Sequence, residues 1–314
     1  MNRARDIYPP DRVSLREVGL RDGLQMVRRF PATAAKVEWL RREHAAGVRH
    51  FELGSFLPAN RMPQFADIRE LIAEAARLPG AHSAALALNE RGLRDALETG
   101  PGEIVCVVSA TEAHSQANMR RTRAAAIELV ARAAELAGES ARRPIVNVGI
   151  AMAFGCSITG AVAPAEVLRL AEACLKAGAD MVSVADTVGY GAPAQVAAMC
   201  REIGALCGDA PFVVHLHDTR GLGLANAAAA LDAGCRILDG SLCGLGGCPF
   251  APGATGNVVF EDLVYLCERQ GFATGIALDR LVAVREIAAA EMPDEPLHGA
   301  IARAGPPSLP DWRA

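Results

Sequence analysis

The sequence predicts an α/β protein, a closed (β/α)8 barrel of the TIM type with an additional helical segment at its C-terminal end. Eight short apolar runs of strand length alternate with eight longer segments of helical period rich in Ala, Leu, Glu and Arg. The connections between them are short, and 314 residues accommodate eight such units in one domain. Right-handed crossovers keep successive strands parallel and bring the eighth beside the first. A doubly wound open sheet is the alternative, disfavoured because the first strand-to-helix turn has no Gly-x-Gly-x-x-Gly phosphate loop.

The strand-like runs are 13–18, 48–53, 82–88, 104–109, 145–151, 181–185, 212–217 and 236–242. Helices are expected near 33–46, 65–77, 90–98, 123–137, 164–177, 192–207, 221–233 and 258–270. Gly47, Gly178 and Gly234 each stand between a helix and the next strand, where a left-handed residue ends a helix at little cost. Residues 279–292 form a ninth, amphipathic segment and 292–314 a Pro-rich tail. The expected division is a catalytic barrel over 11–272 and an extension over 273–314 that packs on the barrel or on a partner subunit.

Apolar residues make up 51% of the chain, and one of this size buries about three quarters of its unfolded surface, so it needs no staples. Aromatics are only 4%, so the core is aliphatic. With 32 Lys plus Arg against 36 Asp plus Glu, the net charge of -4 lacks the basic excess of a nucleic-acid binder. The nine cysteines are scattered, with no CxxC pair, as expected for small buried hydrophobes in a reducing compartment. The first 12 residues lack the apolar stretch of a signal peptide, and no run is long enough to span a membrane. A cytoplasmic location is expected.

Chemistry in such a barrel sits at the C-terminal strand ends. His215 and His217, two apart on the seventh strand, point to one face and present two imidazoles together. An isolated His-x-His is more often two polar residues where a strand meets solvent. Here Asp22 follows the first strand, and an amide such as Asn257 follows the eighth. Two nitrogens and two oxygens suit Mg2+ or Mn2+ in an open site, whereas a structural zinc site would recruit thiolates. Arg21 is a permanent cation beside Asp22, placed for a developing oxyanion; its alternative is a surface salt bridge. Gln25, Ser183 and Thr187 lie on the same rim and are expected to meet substrate. Glu52 and Asp186 are read as inward-facing carboxylates that either act as acid or base or orient their neighbours. Cys248, in a Gly-rich loop closed by Pro249, reads as a thiol carried to the substrate by a lid. The remaining histidines, 44, 50, 82, 114 and 298, are expected to be structural or at the surface.

REVGLRDGLQ (16–25), FELGSF (51–56), SVADTVGYG (183–191), VHLHDTRGLGLAN (214–226) and GLGGCPFAPGATGN (244–257) resemble the 3-hydroxy-3-methylglutaryl-CoA (HMG-CoA) lyases of the DRE-TIM metallolyase superfamily. The resemblance covers nearly the whole chain. It implies that Asp22, His215, His217 and Asn257 hold a divalent ion, Arg21 stabilises an enolate and Cys248 transfers a proton. It also implies that Glu52 and Asp186 are needed for activity. The implied reaction is a metal-dependent retro-Claisen cleavage of an HMG-CoA-type thioester to acetyl-CoA and acetoacetate, with a homodimer and a place in leucine degradation. Asp22 or His215 would be the base. Arg28, Arg29, Arg120 and Arg121 are candidates for the CoA phosphates or, equally, solvated surface. The sequence departs from the family at Met26-Val27 and at Arg220, Leu222 and Gly223, positions close to the site, so a lyase for a related branched 3-hydroxyacyl-CoA is the alternative. A Claisen-type synthase or aldolase, or a silent barrel acting as a binding partner, are the rivals.

Overall fold

A computed structural model describes residues 3–246 and 255–306. Eight strands, β1 (Ser14–Glu17), β2 (His50–Ser55), β3 (His82–Leu86), β4 (Glu103–Ser109), β5 (Ile145–Ala151), β6 (Met181–Asp186), β7 (Phe212–Leu216) and β8 (Ile237–Gly240), form a closed barrel in sequence order. Every neighbouring pair is parallel, and closure comes from β1 against β8 in the register Ser14↔Ile237 to Glu17↔Gly240. The strands are shorter than the apolar runs at several ends because the outermost residues turn into loops.

The helices are α1 (Ala4–Ile7), α2 (Thr33–Ala46), α3 (Ile68–Ala75), α4 (Glu90–Thr99), α5 (Glu112–Met119), α6 (Arg123–Glu139), α7 (Pro164–Lys176), α8 (Pro193–Cys207), α9 (Gly223–Asp232), α10 (Phe260–Arg269), α11 (Leu278–Glu291) and α12 (Ala300–Ala304). Three of these, α1, α5 and α12, lie outside the segments expected to be helical. The Thr111 hydroxyl starts α5 by accepting from the His114 N–H, and Arg120 in a left-handed conformation (φ 54°) ends it. Gly47 ends α2 at φ 112°, and a side chain there would strike the carbonyl of Gly275, where the approach to α11 crosses. α11 then lies along α2, joined by Ala277 N–H to the Ala46 carbonyl at 2.7 Å and by Arg42 to Glu286.

Outward-facing strand residues and the helices share one aliphatic core, as the composition predicts. Inside the barrel the arrangement differs by level. Ile145, Met181, Val213 and Ile237 fill the N-terminal end, and Ala4 and Tyr8 close it like a plug. Above them the interior becomes polar on one side and keeps an apolar cluster, Leu86 with Val105, Leu88 and Val107, on the β3–β4 side. All eight described cysteines are free, and all but Cys207 are buried. Among the described residues, no helix is long and apolar enough to cross a membrane.

Candidate active site

The site begins where β1 ends. Residues Gly19–Gly23 form a single π-helical turn in which Asp22 N–H and Gly23 N–H both reach the Val18 carbonyl, at 2.7 and 3.2 Å. The wider turn carries Arg21 and Asp22 over the barrel mouth. Strand alternation brings His215 of β7 to the same place, with His217 one residue beyond the strand. Asn257 arrives from after β8 because the 256–258 segment is tied to β7: Asp218 N–H bonds the Gly256 carbonyl at 2.9 Å, and Val258 N–H bonds that of Leu216 at 3.1 Å. Gly246 makes this packing possible, since a Cβ there would lie 2.5 Å from Asn257 Nδ2 and 2.9 Å from the Asp22 carbonyl oxygen.

Asp22, His215 and His217 offer ligand atoms all within 4.8 Å of one another, and among the described residues they are the one such group. Asp22 Oδ2 lies 3.5 Å from His215 Nε2 and 3.4 Å from His217 Nε2, and the two ring nitrogens are 3.2 Å apart. Three electron-rich atoms this close require a cation between them, a proton or a metal ion. Asn257 Nδ2 donates to Asp22 Oδ2 at 2.9 Å and to the Leu245 carbonyl at 3.0 Å, while its buried Oδ1 has no hydrogen-bond partner. The donors fit a divalent ion of the Mg2+ or Mn2+ kind, because they are two imidazoles, a carboxylate and an amide oxygen, with no thiolate.

Arg21 knits the site to the barrel wall. Its Nη1 lies 2.6 Å from Asp22 Oδ1 and 3.3 Å from Gln25 Oε1, and its Nε lies 2.9 Å from Glu52 Oε2. Burial opposes ionisation of Asp22, but Arg21 and the two histidines outweigh it and hold the carboxyl well below its usual range. Burial likewise disfavours a charged His215, yet Asp22 and Asp239 overcome it and lift the imidazole to about 9. Burial pushes Glu52 upward against the pull of Arg21, and its other oxygen, Oε1, is buried with no hydrogen-bond partner.

A cavity of about 360 Å³ opens over these groups, lined also by Gln25, Met26, Ser183 and Thr187. Its far wall is the apolar β3–β4 cluster. A larger recess, about 540 Å³, lies at the opposite end of the barrel around Arg5, Arg201 and Arg236, away from the grouped metal ligands.

Two expectations change. Asp186 faces away from the cavity: strand alternation points Ser183 and Ala185 inward, and the Asp186 carboxylate instead accepts Tyr190 N–H at 2.8 Å and Gly191 N–H at 2.9 Å, fixing the loop after β6. Of the positions departing from the family pattern, Met26 lines the cavity, whereas Arg220 stacks on Tyr190 at 4.5 Å outside it. His114 is structural, buried beside the cavity with Nδ1 2.8 Å from Ser109 Oγ. Arg28, Arg29, Arg120 and Arg121 do not line the cavity. Cys248 lies outside the described residues.

Sequence reasoning missed Arg16, Asn147 and Asp239, which floor the cavity. Each breaks an apolar strand in phase with inward-facing neighbours, a signal readable only once the register is known.

A closed parallel barrel with Asp, His and His converging at its C-terminal mouth defines an enzyme of the metallo-barrel class. The HMGL-like family model matches residues 12–288, and the chain belongs to that family; it is a carbon–carbon lyase. The hydroxymethylglutaryl-CoA lyase YngG of Bacillus subtilis is 35% identical over 277 residues, spanning 87% of this chain and 91% of the relative. The (R)-citramalyl-CoA lyase of Chloroflexus aurantiacus is 38% identical over 306 residues, 94% of this chain and 95% of the relative. An HMG-CoA lyase from Acinetobacter baumannii, solved with coenzyme A and 3-methylmalate, superposes with a TM-score of 0.88 at 33% identity, covering 96% of this chain and 99% of that one.

Proposed function

We propose that the chain cleaves (S)-3-hydroxy-3-methylglutaryl-CoA to acetyl-CoA and acetoacetate in a reaction that depends on Mg2+ or Mn2+. The observation that carries this reading is the convergence of Asp22, His215 and His217 beside the Arg21–Glu52 pair in one cavity. Asp22, His215, His217 and Asn257 would hold the ion. When bound, it supplies Lewis-acid polarisation of the substrate hydroxyl and carboxylate oxygens. The hydroxyl proton passes to the Asp22–His215 pair. The electrons of the O–H bond then form the ketone, the C2–C3 bond breaks, and its pair goes to the thioester enolate. Arg21, fixed on either side by Asp22 and Glu52, faces that developing oxyanion. Cys248 returns a proton to the enolate carbon. Gln25, Ser183 and Thr187 contact the acyl group, and Asp186 acts by holding the loop that follows Thr187.

A second reading moves only the substrate. Leu86, Leu88, Val105 and Val107 line the cavity on the β3–β4 side, across the barrel from β7, and an apolar wall there suits a C3 substituent larger than methyl.

Mass-spectrometric product analysis with a panel of branched 3-hydroxyacyl-CoAs tests both. Acetyl-CoA and acetoacetate from HMG-CoA, lost with EDTA and restored by Mn2+, are expected. Cleavage confined to a longer homologue would keep the chemistry and establish the second reading. Failure to cleave any of the thioesters would refute both.

A further inference from the structure

A column of buried charge runs from the site toward the barrel floor, and the chemistry above makes no use of it. Asp239 of β8 places Oδ2 3.0 Å from His215 Nδ1 and Oδ1 2.8 Å from Arg16 Nε. Arg16 of β1 donates through Nη1 to Glu103 Oε1 at 2.8 Å, an oxygen that also accepts from Asn147 Nδ2 at 2.8 Å. The Tyr8 hydroxyl closes the column from below, donating to Glu103 Oε2 at 2.8 Å. Arg16, Glu103 and Asp239 are all 4% exposed or less. Barrel interiors are ordinarily packed with aliphatic layers, and a well-packed apolar layer is at least as stable as buried ion pairs of the same volume. Stability therefore does not explain the column. At its upper end the column meets the grouped ion ligands through His215.

We propose that Asp239 is a positioning residue that accepts the Nδ1–H of His215, so that the proton displaced by an ion is the one on Nε2, whose lone pair is directed at Asp22 and His217, with Arg16 and Glu103 locking Asp239 in place. The inference rests on the ion site proposed above. A neutral imidazole carries one N–H, and the partner of one ring nitrogen decides the state of the other. Arg16 makes the carboxylate essential. Its cationic Nε lies 2.8 Å from Oδ1, too close to face an NH2 group, so an asparagine at 239 must turn its oxygen to Arg16 and its NH2 to His215. Nδ1 would then have to accept, and the proton would move to Nε2, onto the ion's side of the ring. Asp239→Asn thus inverts the tautomer instead of merely weakening a contact.

Mn2+ titration of the purified protein, followed by EPR of the free ion, tests this alongside thermal unfolding of each metal-free protein. Asp239→Asn is expected to raise the Mn2+ Kd by about 10- to 100-fold. A folded Asp239→Asn protein that binds Mn2+ within twofold of wild type would overturn Asp239's role alone. Wild-type protein that binds no Mn2+ would overturn the ion site and this inference together. A second measurement needs no variant: with ¹⁵N-histidine and Zn2+ as diamagnetic probe, long-range ¹H–¹⁵N spectra of wild type should show His215 protonated at Nδ1. A ring protonated at Nε2 would overturn the proposal even if Asp239→Asn failed to fold.

Discussion

Arg21→Met is expected to lower kcat by about 10²- to 10³-fold, the loss typical of removing one preorganised donor from an oxyanion. Arg21 is not among the grouped ion ligands, so the Mn2+ affinity of the variant should be no weaker than that of wild type. Methionine keeps most of the side-chain volume but leaves Glu52, 2% exposed, without its cation. Burial already pushes Glu52 upward, so it takes up a proton instead of standing as an unpaired charge. Lysine should not rescue the variant, because one ammonium cannot face Asp22, Gln25 and Glu52 in the plane that the guanidinium spans. Steady-state kinetics with parallel Mn2+ binding checks this. Turnover within tenfold of wild type would remove Arg21 from the chemistry.

Glu43→Gln is expected to gain stability on the wild type as pH rises from 5 to 7.5, with the difference between the two proteins widening across that range. Glu17, Glu43 and Glu261 are fully buried behind the π-turn. Arg285 pairs with Glu261, and Glu17 Oε1 accepts Gly19 N–H at 2.8 Å and Leu242 N–H at 2.9 Å, so one carboxyl braces both the Arg21–Asp22 turn and the residues that follow β8. The Glu43 carboxyl lies against that of Glu17 and the Trp39 indole. Burial is the main force raising both Glu17 and Glu43 above the usual carboxylate range, and their mutual repulsion adds to it for Glu43. A raised carboxyl keeps its proton in the folded state where the unfolded chain has released it. Stability then falls as pH rises above about 4.3, by about 1.4 kcal/mol per unit for each such group, until the folded-state value is passed. Glutamine is neutral throughout and removes one of these slopes. Thermal unfolding of both proteins from pH 5 to 7.5, at one fixed Mn2+ concentration, measures the difference; parallel curves would show that Glu43 is ionised in the fold.

The parts of this protein that depend on local spacing were legible in the sequence. Alternating apolar runs and helical segments define the barrel, because strand and helix periods are properties of short windows. His215 and His217 share a face because strand side chains repeat every two residues, and the strand-end rule adds Asp22, Arg21 and Glu52. Where local phase was ambiguous the reading failed. Asp186 sits one residue out of phase with Ser183 and Ala185, and a shift of one residue turns a strand side chain to the opposite face. The helix α5, which brings His114 and Asn118 to the cavity, starts from a Thr cap with little apolar periodicity to announce it.

What the sequence determined by itself is the barrel, its family and the Asp-His-His set at one rim, since each follows from periodicity and motif. What only the tertiary structure decided is how that rim is supported. Asp239 reaches His215, and Arg16 reaches both Asp239 and Glu103, because β8 closes against β1 and β7. Residues separated by 24, 87 and more than 200 positions become neighbours in that step. A buried charge is tolerable only where the closed barrel supplies its partner, so these residues have no meaning until the ring is complete.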